Sequence, residues 1–555
     1  MVRIALFNPE LKKSNKINLW QNNIKDDYIH PPLGLIALAT SCIKAGHEAY
    51  VYDLAIEKNP QEKFEIALKE FQPDVVGLTA YTSNEAIALN YAKRCRELGI
   101  PVIIGGYAAT FDWKTMLQSP GVNAVICGEG EVPLISLLKS WELGEDLENI
   151  PGLHLRGEIT YTPAVRIENL DDLPKMNFNL IDMRPYVMKE AIGLVTSRGC
   201  PYNCYFCSCQ KMWTRRVTRK SLENILSEID NIVHSFNYEG KMITFFDDTF
   251  TLDRNRILSF CDELKKRNYK IFWKVMTRVD RVDPELLRIM FEAGCRHVAF
   301  GIDATTDEDL CRLNKGFSVE QAKRAVDYAN RKGLVTEGYF IIGFPWQTRE
   351  DLFNTVETIR EFGVTIPKLS CLTPYPGTHF AEKLKDYGMR IPLEDHSRFD
   401  GLLPVIETDN FTLYDQAEAM LAFVDSYLLT NVRESFDASK ETGEDLHTNE
   451  IEEITFSEIA KDDPFDELIK KGLIPQVSPF TAFREVEGGT LAYEYRVGSF
   501  ALFNQSMVEI IKECYVNDKF DDLLLTLRQK FNFVNYNDLI EAFKLLRDFG
   551  FLVEE

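Results

Sequence analysis

At about 150 residues per domain, a chain of 555 residues has room for three or four domains, and its 45% hydrophobic and 27% charged residues are those of a folded globular protein. With 63 basic against 85 acidic residues the net charge is −22, so a nucleic-acid backbone is not an expected partner. No run approaches the roughly 20 apolar residues of a membrane helix. Met1–Phe7 leads directly into a strand pattern without a signal segment, so the expectation is a cytoplasmic protein with no membrane span.

Residues 1–150 alternate short β-rich runs with segments of helical period. The runs are Ile4–Asn8, Ala49–Asp53, Val75–Thr79, Val102–Gly105 and Ala124–Cys127; the helical segments between them include Leu33–Ala45, Glu62–Phe71, Ala86–Leu98 and Val132–Trp141. This rhythm predicts an α/β domain, Rossmann-like and doubly wound, that binds ligands at the carboxyl ends of its strands. Those ends carry small residues: Thr82-Ser83-Asn84, Gly105-Gly106-Tyr107 and Gly128-Glu129-Gly130-Glu131. Glycine there admits close approach of a large ligand, and turn formation alone explains it equally well. No G-x-G-x-x-G follows the first strand, so a nicotinamide site is not supported.

Residues 151–189 read as a linker, and 190–400 repeat the βα rhythm. Strands are expected at Gly193–Ser197, Met242–Phe246, Phe272–Thr277, His297–Gly301, Thr336–Ile342 and Pro367–Thr373. Six such units make a (βα)6 partial barrel with its chemistry at the C-terminal strand ends. Residues 401–477 form a helical and acidic connector, its acidic part at about 434–467. Residues 478–555 form a small α+β, winged-helix-like unit: runs at Leu491–Val497 and Phe500–Phe503, three amphipathic helices with Asn504, Asp518 and Asn537 as caps and Gly550 as a stop, and a returning strand at Phe551–Val553.

Of 12 cysteines, eight (Cys42, Cys95, Cys127, Cys261, Cys295, Cys311, Cys371 and Cys514) read as buried small hydrophobes. Cys200, Cys204, Cys207 and Cys209 fall together, directly after the first strand of the second unit. A loop with C-x-x-x-C-x-x-C spacing can wrap three thiolates around one face of a 4Fe–4S cluster and leave one iron open. A zinc site would call for paired C-x-x-C units or added histidines, and neither is nearby. Cys209 reads as a bystander, with a fourth-ligand role as the alternative.

This spacing, with Phe206 before the last cysteine, resembles the radical S-adenosylmethionine superfamily. The strand-end segments Phe246-Asp247-Asp248-Thr249, Thr277-Arg278, Gly301-Ile302-Asp303, Gly343-Phe344-Pro345 and Pro374-Tyr375-Pro376-Gly377 fit the resemblance. His30-Pro-Pro-Leu-Gly-Leu35, Gly105-Gly106 and Gly128–Glu131 resemble the subgroup that carries an N-terminal cobalamin-binding domain. The resemblance implies a 4Fe–4S cluster on Cys200, Cys204 and Cys207. It places S-adenosylmethionine near Phe206, Asp247, Asp248, Arg278 and Asp303, and cobalamin near Thr82, Ser83, Gly105, Gly106, Tyr107, Gly128 and Gly130.

Two positions depart from the subgroup's pattern: Asp303 stands where Glu is usual, and Tyr107-Ala108 follow the paired glycines where His is frequent. A D-x-H-x-x-G string is missing; the nearest, Asp445-Leu-His447-Thr-Asn-Glu450, ends in Glu. The expectation is therefore base-off cobalamin with no protein histidine on the cobalt.

The implied reaction is radical C-methylation at an unactivated carbon of a natural-product or peptide intermediate, fed by an electron donor such as flavodoxin or ferredoxin. The alternatives are a cyclase, ring-rearranging or carbon–carbon coupling enzyme with the same cofactors, and a non-catalytic cobalamin carrier or sensor. The C-terminal pattern weakly resembles the peptide-recognition domain of ribosomal-peptide-modifying enzymes, with Leu491–Val497 as the strand that would receive a peptide.

Overall fold

The computed structural model describes residues 1–11, 30–145, 147, 150–157 and 163–429, then 476–477, 481–486, 489–495, 499–503, 505–514, 551–553 and a few isolated positions between. The acidic segment 434–467, the string around His447, the caps Asn504, Asp518 and Asn537, and Gly550 lie outside the described residues.

The first sheet holds β1 (Arg3–Asn8), β2 (Glu48–Asp53), β3 (Val75–Thr79), β4 (Val102–Gly105), β5 (Ala124–Ile126) and β6 (Leu153–Leu155), in the order β2-β1-β3-β4-β5-β6. The first five are parallel and β6 closes the edge antiparallel to β5. The order in which strands are added switches sides between β1 and β3, and the crevice outside their carboxyl ends is where such a sheet binds ligands. Helices cover both faces, which is why β1 is buried along Ile4–Phe7 instead of alternating. Ala5 and Phe7 face one apolar core with Val76, Tyr91 and Ile104. Ile4 and Leu6 face the other, which runs without a break into the core of the second unit.

The second sheet uses β7 (Ile192–Leu194), then β10 (Met242–Phe245), β11 (Phe272–Thr277), β12 (Cys295–Asp303), β13 (Val335–Ile342) and β14 (Ile366–Cys371), all parallel and in sequential order. Between β7 and β10 sits a two-stranded antiparallel pair, β8 (Ser197–Arg198) and β9 (Thr218–Arg219). The single strand expected at Gly193–Ser197 is thus broken, because Thr196 and Ser197 turn to bond the Asp247 carboxylate. On β11, Trp273 and Val275 are buried while Phe272 and Met276 are exposed. Trp273 packs on Phe260 of the helix Arg254–Lys266, so the exposed set faces the barrel lumen.

The two units share buried side chains from the segment between them, among them Phe178, Ile181 and Tyr186. Tyr186 donates to Asp53 at the end of β2 (2.5 Å), and Asn8 at the end of β1 donates to the same carboxylate (2.8 Å). Toward the C-terminus, β15 (Gln476–Val477) pairs with β19 (Leu552–Val553), and β16 (Thr481–Val486), β17 (Gly489–Glu494) and β18 (Ser499–Phe503) form an antiparallel meander. One expectation is corrected here. Leu491 lies on β17, the middle strand, whose backbone is paired on both sides and cannot receive a peptide strand. A second correction concerns Cys311, which is exposed, not buried.

Candidate active site between the two units

The cysteines lie on one long loop, 199–217, whose neck is the β8–β9 pair. Gly199 opens the loop with φ +100°, and a Cβ on it would stand 2.1 Å from the Arg216 carbonyl oxygen at the far side of the neck. Only glycine closes the neck in this way. Cys204 is buried, Cys200 and Cys207 are half-buried, and none of the three is in a disulfide.

The surroundings set the thiols apart. Burial pushes the Cys204 thiol up to about 11, opposed by the nearby charges of Lys315 and Arg278. A hydrogen bond from the Cys209 thiol holds Cys207 below its ordinary value, and that bond together with burial pushes Cys209 far up. Burial raises Cys200 as well, while a contact with Thr249 Oγ1 at 3.5 Å lowers it. Soft sulfur donors, one of them beside two cations, suit iron, which binds thiolates. Among the described residues no three His, Cys, Asp or Glu side chains converge closely enough for a single metal ion. Three thiols carried on one loop can each take a different iron of one cube, so the donor set fits a cluster.

The carboxylates at the barrel mouth have separate duties. Asp247, 1% exposed, accepts from Thr196 N and Oγ1 at 2.6 Å and from Ser197 Oγ at 2.5 Å. That fully bonded carboxylate holds the strand break that starts the cysteine loop. Asp248 accepts from Gly199 N at 2.8 Å, and burial raises its pKa. Arg278 is bonded to Asp280 (2.9 Å), lies 3.7 Å over the Tyr202 ring and reaches toward Cys204 Sγ at 3.9 Å. Asp303 ends β12 at a register shift, with a left-handed φ of +71°, and pairs with Lys315. Asp occupies that region more readily than Glu, which accounts for the shorter acid here. Phe206 lies 5.7 Å from the same ammonium. Sequence reasoning missed Lys315. It also missed Phe246 and Met276, both 42% exposed on the lumen side, which strand alternation alone would have placed there.

Across from this mouth stand the carboxyl ends of the first sheet. Gly106 has φ +100°, and a Cβ there would come within 2.8 Å of the Ala80 carbonyl and Thr79 Oγ1, so its own turn demands glycine. At Gly105 an added Cβ would have no neighbour nearer than 3.7 Å. Thr82 is buried and Ser83 half-buried in the short turn after β3, and Gly128 and Gly130 lie in the turn after β5. The Tyr81 and Tyr107 rings lie near-parallel, 6.5 Å apart. Tyr81 is 49% exposed, yet the protein around it desolvates its hydroxyl and pushes the pKa up. The Tyr107 hydroxyl is held well above the usual value by burial and by the charges of Asp248, Cys209 and Cys207 of the second unit. Phe111, one turn on, lies under the Gly377 turn that follows β14.

Comparison with known proteins agrees with this geometry. Residues 194–359 match the radical SAM superfamily and residues 22–138 match the B12 binding domain. The chain is 32% identical over 412 residues to an uncharacterized methyltransferase of Pyrococcus horikoshii, covering 72% of this chain and 89% of that one. The chain belongs to the cobalamin-binding radical S-adenosylmethionine enzymes. Among other relatives, the anaerobic magnesium-protoporphyrin IX monomethyl ester cyclase of Rubrivivax gelatinosus is 27% identical over 396 residues, with 68% of this chain and 70% of that one covered. In fold the chain is similar to the radical S-adenosylmethionine methyltransferase TsrM of Kitasatospora setae, at TM-score 0.62 and 19% identity over 77% of this chain and 92% of that one. It is also similar to the cobalamin-dependent radical enzyme OxsB, at TM-score 0.62 and 18% identity over 80% of this chain and 71% of that one. Radical SAM enzymes of this class use a 4Fe–4S cluster, S-adenosylmethionine and cobalamin, and the described residues fit all three.

Proposed function

We propose that this enzyme is a C-methyltransferase acting on an unactivated carbon of a small natural-product or peptide intermediate. The observation that carries the reading is the meeting of the two units' strand ends: Arg198, two residues before Cys200, donates to Glu129 of the first unit at 2.7 Å, and Phe111 lies under the Gly377 turn of the second. The two cofactor sites would therefore face each other. When bound, the cluster with S-adenosylmethionine supplies a carbon-centred radical, and cobalamin supplies the methyl group.

The chain's own residues do the rest. Cys200, Cys204 and Cys207 hold the cluster, and Lys315 and Arg278 favour the thiolate at Cys204. Asp248, at the start of the loop, is placed to receive the ammonium of S-adenosylmethionine, while Asp303 and Phe206 border the same mouth. Phe246 and Met276 line the lumen with apolar surface, which keeps water from a reactive carbon centre. Thr82, Ser83, Gly105, Gly106, Tyr107, Gly128 and Gly130 surround the corrin. The sequence has no D-x-H-x-x-G string that would offer cobalt a histidine, so a cobalamin held here would be bound without one, and we read it as base-off. A one-electron donor of the flavodoxin or ferredoxin class completes the system.

The test is anaerobic turnover with S-adenosylmethionine labelled in its methyl group and candidate substrates, read by mass spectrometry. A labelled product heavier by one CH2 supports methylation. A ring-closed or rearranged product without label supports the cyclase class instead. Failure to form 5′-deoxyadenosine with any substrate would sink both.

A further inference from the structure

Glu129 and Glu131, in the turn after β5, have a destination that cofactor binding does not explain: both carboxylates leave the first unit and enter the neck of the cysteine loop. Glu129 Oε1 accepts from Arg198 Nη1 at 2.7 Å, and Glu131 Oε1 accepts from Arg198 Nη2 at 2.6 Å. Arg198 lies on β8 and is followed by Gly199 and Cys200.

The other oxygen of Glu129 accepts from Arg166 Nε at 2.7 Å and from the Ile167 backbone N–H at 2.8 Å. Arg166 then spreads over the neck. Its Nη1 donates to the carbonyls of Trp213 (2.6 Å) and Arg216 (3.3 Å), and its Nη2 to Thr218 Oγ1 (3.0 Å) and the Arg198 carbonyl (3.5 Å). The guanidinium also lies 4.8 Å over the Trp213 ring.

Every member is largely shielded from water: the side chains of Glu129, Glu131, Arg166 and Arg198 are 1%, 5%, 8% and 16% exposed. Two carboxylates and two guanidinium groups balance, so the cluster needs no ligand of its own. A buried ion network is poor value as a stabiliser, since desolvation offsets most of its attraction; what it supplies is a single geometry. Two planar guanidinium groups, each divided among several fixed acceptors, set direction as well as distance.

We infer that Glu129, Glu131, Arg166 and Arg198 are positioning residues that bolt the neck of the cysteine loop to the Gly128–Glu131 turn and so set the separation of cluster and cobalamin. The inference rests on the reading that this chain carries both groups. Radical and methyl donor must meet one carbon, and a displacement of about 1 Å can cost on the order of a hundredfold in rate.

The test is electron paramagnetic resonance of the full-length holoenzyme without substrate. In the wild type, the relaxation of cob(II)alamin should quicken when the cluster is reduced, because the two spins are held at fixed separation. In R166K, which keeps the charge and loses the fork, and in E129Q, both groups should load to within twofold of wild type while the relaxation enhancement changes several-fold. Wild-type enhancement in both variants, with both groups loaded, would overturn the inference. So would loss of one group alone, which would make these residues part of a single site, and so would failure of both variants to fold. A wild type that binds only one of the two groups would instead sink the underlying reading.

Discussion

Lys315 crosses the end of β12 to pair with Asp303 while donating to the Gly301 carbonyl at 3.1 Å, and both side chains are nearly closed to water, at 5% and 9% exposure. The pair fixes a left-handed residue at the barrel mouth, so one ion pair shapes the backbone on which S-adenosylmethionine would rest. D303N keeps a residue type that tolerates this conformation but leaves the ammonium buried without its carboxylate. The expected loss is about 3–5 kcal/mol in a urea titration. The double variant D303N/K315M should lose less than the sum of the two single changes, because the second removes the stranded charge.

The three cysteines proposed as cluster ligands should differ from the fourth in one measurable respect. C200A, C204A and C207A should each purify anaerobically with little iron and sulfide and no signal from a reduced cluster. C209A should retain both iron and sulfide, since the Cys209 thiol is engaged with Cys207 and Asp248. Loss of iron from C209A at the level of the other three would make it a ligand.

Gly199 is the residue that lets the cysteine loop close. G199A meets a carbonyl at 2.1 Å and imposes a side chain at φ +100°, for which the backbone conformation alone costs about 1–3 kcal/mol. The expected outcome is a protein with wild-type circular dichroism and cobalamin content but at least tenfold less cluster after reconstitution. A normally loaded G199A would show that the neck opens freely.

His396 Nδ1 meets Glu85 Oε1 at 2.5 Å, linking the segment after β14 to the strand ends of the first sheet. That hydrogen bond raises the histidine above its usual 6.5 against the effect of partial burial. A group raised in the folded state contributes stability that is fully present below its unfolded value and is lost as pH rises through the folded one. The denaturation midpoint should therefore fall as pH rises from 6.5 upward, and H396A should flatten that fall without changing stability at high pH.

Much of this molecule is legible in its residues because the signals are local. Strand and helix follow from periodicity, which depends only on neighbours a few positions apart, and five of the six barrel strands lie within two residues of where their apolar runs place them. The Cys200–Cys207 spacing likewise belongs to one loop, and its chemistry follows from thiolates and their separation along the chain. Tertiary structure alone decided which polar groups meet. Glu129 and Arg198 are 69 residues apart, and nothing in either local sequence says that one buries the other. Asp247 and Asp248 are adjacent and alike in sequence, but the fold gives one to Thr196 and Ser197 and the other to Gly199. Resemblance to a peptide-binding domain alone puts Leu491 at a sheet edge, and it lies in the middle because strand order is a matter of long-range pairing. Charge and hydrogen-bond partners are chosen by three-dimensional proximity, and proximity between distant segments leaves no periodic trace in the chain.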